Sequence, residues 1–273
     1  MTTRTMHMTN HTQFQVHDPM RNLARSLSRT RLYLPSLAAA ALALTLPATS
    51  AVAADKEAIA ENLKQHMPGI PIDSIRETPA EGLYELVSNG QIAYVTADGK
   101  YLLAGDLIDV ANRQNLTQQK MDSQRLATLE GVPTERKLVY PANGDKKHAI
   151  TILTDPTCPF CDKLHNELPA LREAGVEVTY ILTPRQGPGS NGFNISSQVQ
   201  CADEPKQALE RAMKGKSVDA KACASDVIKE NIALSNRLGM SGTPYTVLPN
   251  GATVAGYRPA KVMLQAIRQS SGQ

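Results

Sequence analysis

Tryptophan is absent from the 273 residues, and phenylalanine and tyrosine bring aromatics to only 4%. That scarcity argues against the stacking platforms that hold single-stranded nucleic acid. Cysteine is sparse too. Four are too few for a disulfide-dense scaffold at this length, but enough for two pairs. Long apolar runs are missing apart from one near the N-terminus, and no repeat or low-complexity tract occurs beyond residue 54. What remains is 41% hydrophobic and 20% charged, which supports a packed core in one large domain or two ordinary ones.

Residues 32–54 carry no charge, and their apolar centre is the stretch 37–46. Ten residues of helix rise about 15 Å, half of the roughly 30 Å hydrocarbon layer, which disfavours a spanning helix. Arg21, Arg25, Arg29 and Arg31 precede the stretch, and Ala51-Val52-Ala53 follows it. Basic region, short apolar region and small-x-small site together read as a cleavable secretory signal over 1–54, cut after Ala53 or Ala54. Met20 would open a signal of ordinary length, so translation starting there is an alternative, and an uncleaved anchor over 32–54 is another. Export places the remainder where disulfides persist, so cysteine pairs read as redox or structural bridges before metal sites. Residues 1–54 hold five arginines against one aspartate, so the formal charge of +3 becomes −1 from residue 55 onward. The basicity therefore implies no acidic partner. The remaining Lys and Arg are scattered, and no nucleic-acid patch is expected.

From residue 55 the chain divides. Ile59, Leu63 and Met67 share one face of a helix over 56–67, stopped by Pro68-Gly69. Strand-like runs at 83–87, 92–95 and 100–103 are separated by the hairpin signals Asn89-Gly90 and Asp98-Gly99. Such a domain, over 55–112, is marginal in core, and pairing with a second copy would help it. Residues 117–129 read as a polar helix with only Met121, Leu126 and Leu129 apolar, a connector within 113–133 that Gly131 and Pro133 end. From 134 to 273 strands and helices alternate. Strands are expected at 138–140, 149–153 and 176–182, and a hairpin at 245–248 and 253–254 about Asn250-Gly251. Helices are expected from Cys158 to about 174, kinked at Pro169, over 196–214 and 222–238, and after Pro259. This order predicts an α+β chain whose C-terminal domain is thioredoxin-like with a helical insertion.

Cys158-Pro159-Phe160-Cys161 follows a strand and opens a helix, with Pro159 at a first-turn position that needs no N–H. Helix N-terminal amides and the macrodipole favour a thiolate there, so Cys158 is the expected nucleophile. Cys161, one turn further in, is the expected resolving thiol. An inert disulfide and half of a zinc site are the alternatives. Zinc would need two more ligands, and His165 is the only obvious neighbour. Cys201 and Cys223, one on each of two expected helical stretches, most simply form a structural bridge, with a second redox centre as the sharper alternative. Thr243-Pro244, after Gly242, is a candidate cis-proline, although generic statistics favour an ordinary trans turn and only the thioredoxin-like context reverses them. On such a sheet the loop would face the CxxC and could pair with an extended substrate strand. His165 reads as a solvated helix residue ahead of a proton relay, and Arg185 as a surface residue.

These stretches together resemble the DsbC/DsbG family of periplasmic thiol:disulfide interchange proteins, DsbC-type disulfide isomerases most closely. The resemblance covers about 55–273. It is carried by Thr154-Asp155-Pro156-Thr157-Cys158-Pro159-Phe160-Cys161-Asp162-Lys163-Leu164-His165, Pro184-Arg185-Gln186-Gly187, and the Cys201 and Cys223 pair. Gly239-Met240-Ser241-Gly242-Thr243-Pro244, Leu248-Pro249-Asn250-Gly251 and Gly256-Tyr257 add to it. It implies a V-shaped homodimer whose small cystatin-like N-terminal domains pair through strands within 91–105, with a helical linker to each thioredoxin-like domain. It also implies Cys158 as attacking thiolate, Cys161 as resolving thiol and Thr243-Pro244 as the cis-proline loop. Misfolded disulfide-containing exported proteins are the implied substrates and the membrane reductase DsbD the implied reductant, with no cofactor and no metal. Pro159-Phe160 departs from the Gly-Tyr usual in DsbC and is nearer the Pro-Tyr of DsbG. A DsbG-like chaperone and sulfenic-acid reductase with weak isomerase activity is therefore the alternative, and a holdase whose cysteines matter little is a further one.

Overall fold

The computed structural model describes residues 56–272, so the leader, its cleavage point and the Met20 start lie outside the described residues. Helix α1 (Lys56–His66) lays Ile59 and Leu63 on a four-stranded antiparallel sheet of order β1 (Ser74–Glu77), β2 (Leu83–Ser88), β3 (Gln91–Thr96) and β4 (Leu102–Leu103). Tyr84, Leu86 and Val95 complete that small core. Asn89 and Gly90 both take positive φ, 49° and 74°, the left-handed pair a two-residue hairpin needs. Strand β1 had no sequence signal, because Ser74-Ile75-Arg76-Glu77 holds one apolar residue and no alternation. The expected 100–103 strand shortens to two residues. The hairpin β5 (Ile108–Asp109) and β6 (Gln114–Asn115) follows.

Helix α2 (Leu116–Glu130) begins where the Asn115 side chain accepts a hydrogen bond from the Gln118 amide at 2.8 Å. Its buried face corrects the expected apolar points. Thr117, Asp122, Arg125 and Leu129 are buried, whereas Leu126 is exposed. Asp122 and Arg125 form an ion pair, and Arg125 Nη1 also donates to the Gly251 carbonyl at 3.2 Å. A polar pair therefore replaces an apolar stripe as the anchor. Gly251 has φ of 88°, and a Cβ there would overlap the Asp122 carbonyl, so glycine is required at this crossing. Leu129 and Val132 join Leu153, Ile181, Leu234 and Leu238 in a core cluster.

The second sheet contains β7 (Leu138–Tyr140), β8 (His148–Thr154), β9 (Val176–Leu182), β10 (Tyr245–Val247) and β11 (Thr253–Ala255), in the order β11-β10-β8-β9-β7. Strands β8 and β9 are parallel, and every other pairing in it is antiparallel. The β8-to-β9 crossover is not one kinked helix but two, α3 (Pro159–Asn166) and α4 (Leu168–Glu173). Glu167 sits between them, with its carboxylate accepting from Tyr257 Oη at 2.8 Å and the Ala260 amide at 3.1 Å. The expected 196–214 helix is likewise two, α5 (Asn191–Cys201) and α6 (Pro205–Met213), the second opening at Pro205. Helix α7 (Ser225–Arg237) begins after Cys223, which therefore lies outside it. Helix α8 (Ala260–Ser270) closes the chain.

Candidate functional site

Strand β8 delivers the chain to a loop, Asp155 to Thr157, from which α3 springs. Cys158 is its N-cap residue in extended conformation (φ −89°, ψ 119°), and Pro159 follows at the first helical position. Both cysteines are free thiols and nearly inaccessible, 2% exposed at Cys158 and 1% at Cys161. Because β10 pairs with β8 in the register Tyr245 to Leu153, the residues just before β10 fall beside the end of β8. The Thr243–Pro244 peptide there is cis, and the Cys158 thiol donates to the Thr243 carbonyl at 3.4 Å. The structure thus brings Cys158, Cys161, Thr243 and Pro244 together.

The two thiols are electrostatically unequal. Burial pushes the Cys158 thiol up, but the nearby Thr243 side chain, the Cys161 amide and thiol, and the Phe160 amide outweigh it. The net direction is down, toward thiolate at neutral pH. Burial dominates at Cys161 and pushes its thiol up to about 12, against the Thr154 hydroxyl and the Asp155 amide. That amide donates to Cys161 Sγ at 3.5 Å. The two sulfurs thus differ in acidity, Cys158 ionising more readily than Cys161.

Sequence reading gave Asp155 no role beyond its place in the stretch that carries the family resemblance. Its carboxylate is 2% exposed and fully subscribed. Oδ1 accepts from the Thr157 amide (2.8 Å) and hydroxyl (2.6 Å), and Oδ2 from the Arg185 amide and Nε, both at 3.0 Å. Burial raises the Asp155 acid, yet these bonds together hold it below the ordinary carboxylate value. The Asp-Pro-Thr turn was the available signal, since an Asp commonly caps the amide two residues on. Arg185 is therefore more than a surface residue. Gly192 of α5 lets that helix approach, because a Cβ there would meet Thr157 Oγ1 at 3.1 Å and Asp155 Oδ1 at 3.2 Å.

His165 is not solvated. It is 8% exposed, with Tyr140 edge-on at 5.8 Å and Tyr180 at 5.7 Å between ring centroids. Phe160, by contrast, is exposed, with Lys163 Nζ 5.2 Å from its ring centroid. Cys201, at the end of α5, and Cys223, just before α7, are bonded to each other with Cα atoms 6.0 Å apart. No group of three or more His, Cys, Asp or Glu placed to hold a metal occurs among the described residues. Nor is any helix there long and apolar enough to cross a membrane.

A CxxC opening a helix behind a sheet strand, with a cis-proline loop against its first sulfur, defines a thioredoxin-fold thiol–disulfide oxidoreductase. Comparison with known proteins narrows this class. Residues 50–118 match the family described as disulfide bond isomerase protein N-terminal domain, and residues 138–271 match a thioredoxin-like domain. The thiol:disulfide interchange protein DsbC of Escherichia coli (strain K12) is 37% identical over 212 residues, 77% of this chain and 86% of that protein. Its namesake in Salmonella typhimurium is 36% identical over 226 residues, covering 81% and 92%. A solved disulfide interchange protein from Neisseria gonorrhoeae superposes with a TM-score of 0.44 at 27% identity, covering 51% of this chain and 98% of that one. The chain belongs to the DsbC family of thiol:disulfide interchange proteins.

Proposed function

We propose that the protein isomerises incorrect disulfides in exported proteins within the periplasm, with Cys158 as nucleophile, Cys161 as resolving thiol and Thr243-Pro244 as substrate-pairing loop. The observation that carries this reading is the Cys158 thiol at the N-cap of α3, 3.4 Å from the carbonyl of the cis-proline loop, with Cys161 buried in the same helix. Cys158 thiolate attacks one sulfur of a substrate disulfide, forming a mixed disulfide and expelling the other sulfur as thiolate. In isomerisation a second substrate thiolate displaces Cys158, and no net electrons move. When none is placed to do so, Cys161 loses its proton and attacks Cys158 Sγ. The substrate then leaves as thiolate, and the dithiol has given up two electrons to become the Cys158–Cys161 disulfide. Re-reduction falls to the membrane reductase DsbD in the reading the family resemblance implies.

The same reading has the chain working as a homodimer that holds misfolded substrate, which gives it chaperone activity. Within 91–105, β3 is paired on both sides, so β4 alone offers a free edge for a second copy. Tyr101, Leu102 and Leu103 are exposed along it. The Cys201–Cys223 bond serves as a structural staple of the helical insertion.

Replacing Cys158 by Ala is expected to abolish refolding of a scrambled multi-disulfide substrate, measured as recovered substrate activity. Full recovery with Cys158→Ala would sink the assignment in favour of a holdase.

A further inference from the structure

The Thr243-Pro244 loop meets the Cys158 sulfur from one direction, and a cavity of about 730 Å³ opens beside Cys158 in another. Cys158 lines that cavity, whereas Cys161, Thr243 and Pro244 do not. Cys158 is otherwise almost covered, at 2% exposed, so whatever the cavity holds lies against the attacking residue.

Its walls come from two parts of the fold. One is the redox loop and α3, which contribute Pro159, Asp162 and Lys163. The other is the helical insertion, through Ile195 of α5, Ala212 and Met213 of α6, and the turn after α6. Ala212 and Met213 belong to the large core cluster and Ile195 packs against it, so the apolar floor is fixed. The turn is fixed as well. The Gly215 amide donates to the Ala212 carbonyl and the Lys216 amide to the Arg211 carbonyl, both at 2.9 Å, with Gly215 at a φ of 68°. That paired closure of a helix C-terminus sets the position of the residue after the glycine. Arg211 Nε holds the next residue by donating to the Ser217 carbonyl at 3.1 Å.

Each wall carries a lysine, Lys163 on α3 and Lys216 on the turn. Both are exposed, and neither enters an ion pair among the described residues. Lys163 Nζ instead lies over the Phe160 ring. The lining holds one carboxylate, Asp162, against the two lysines. A basic rim over an apolar floor is complementary to an acidic side chain close to an apolar one.

We propose that this groove selects substrates, seating a segment of the exported protein with an apolar and an acidic side chain within about two residues of the attacked cysteine. Lys163 stands five residues beyond Cys158, about 7.5 Å along a helix axis. An extended chain covers about 3.4 Å per residue. An acidic side chain two positions from the substrate cysteine therefore reaches the lysine rim while its sulfur meets Cys158. The apolar neighbour lies on Ala212 and Met213. Lys163 and Lys216 thus determine specificity, and the exchange of sulfurs is unchanged.

The inference rests on Cys158 being the attacking sulfur, and the test separates the two. Blocked pentapeptides carry a central cysteine flanked on each side by leucine and then by Glu, Gln or Lys, and each is supplied as its symmetric disulfide. Adduct formation with the reduced full chain is followed by acid quench and mass spectrometry. Each rate is divided by that peptide's rate with 2-mercaptoethanol. If no peptide forms an adduct at Cys158, the attacking role itself fails. With that role standing, the Glu peptide should react about tenfold faster than the Lys peptide at low salt, with Gln between them. The ratio should shrink toward one in about 1 M salt. Lys163→Glu with Lys216→Glu should invert the ratio, and a ratio cancels any effect of those charges on the thiolate. The same double reversal at Lys64 and Lys261, both exposed and outside the groove, should leave the ratio in place. Replacing the leucines by serine should slow the reaction at least about fivefold. Ser217→Trp, which fills the groove from its exposed edge, should erase that difference. Equal rates for the Glu and Lys peptides at low salt, or a preference that survives reversal at Lys163 and Lys216, overturns the proposal.

Discussion

Asp155 is the side chain on which the redox loop turns. Its amide touches the Cys161 sulfur, its carbonyl accepts from the Cys158 amide at 3.0 Å, and its carboxylate ties Thr157 to Arg185. Replacing Asp155 by Ala should cost on the order of 3 kcal/mol in urea unfolding, because several charge-assisted bonds vanish and the Thr157 amide is stranded. Cys158 should stay lowered in the variant, read by thiolate absorbance, since the groups that lower it are the Thr243 side chain, Cys161 and the Phe160 amide rather than the Asp155 carboxylate. Its folded-state value lies below the ordinary 3.8, so the stability it contributes is present above that value. That stability is lost as pH falls through the lower folded value. His165 follows the same sign at higher pH. Its contribution holds above 6.5 and wanes as pH drops below it, so acid should weaken the fold in two stages. The cysteines were legible at this scale because their spacing is local, whereas the cis bond before Pro244 was expected only from the thioredoxin-like context. Asp155, Tyr180 and the burial of His165 were not legible, since Arg185 lies 30 residues from Asp155 and the ring contacts span three separate elements.

Among the elements, strands showed most clearly where one face alternates or a run is wholly apolar. The expected 176–182 and 138–140 coincide with β9 and β7. Helices were harder. The 158–174 and 196–214 patterns each continue across a break, because the apolar period persists while backbone groups are satisfied elsewhere. Glu167 and Pro205 mark those breaks. The Cys201–Cys223 bond spans the second region, closing a loop with a sequence separation of 22. Changing both cysteines to serine should lower stability by about 3 kcal/mol in the chain-entropy account. Rates of thiol exchange at Cys158 should stay within about twofold, since surface changes away from the site rarely exceed 0.5 kcal/mol. A collapse of exchange activity in the folded double variant would instead mark that pair as a second redox centre.

For the molecule as a whole, the parts differ in how they hold together. The thioredoxin-like part has a large continuous core, whereas α1 and its sheet enclose a small one. Such a domain gains from burying Tyr101, Leu102 and Leu103 against another copy. Leu103→Asp should weaken self-association by at least about tenfold in sedimentation equilibrium, since burying an unpaired charge at an interface costs more than 1.4 kcal/mol. Refolding of scrambled substrates should fall with it, while reduction of a small peptide disulfide should not. A variant that remains as dimeric as the unaltered chain would exclude β4 from the contact. The division into a small sheet, a connecting helix and a thioredoxin-like part was legible from period and turn signals. The docking of α2 was not, because an Asp122–Arg125 pair three residues apart reads as a solvated face until Gly251 is placed beneath it.

The corner at Glu167 has a consequence for the order of events in synthesis. Its carboxylate is satisfied by Tyr257 and by the first amide of α8, groups 90 and 93 residues further along the chain. Until then the Glu167 carboxylate lacks both partners, although the CxxC and the strand before it have long been translated. A nascent chain therefore carries both thiols before the Thr243 loop that lowers Cys158 has been made. Truncations and C-terminal fusions that disturb Ala260 act at the redox helix without touching it.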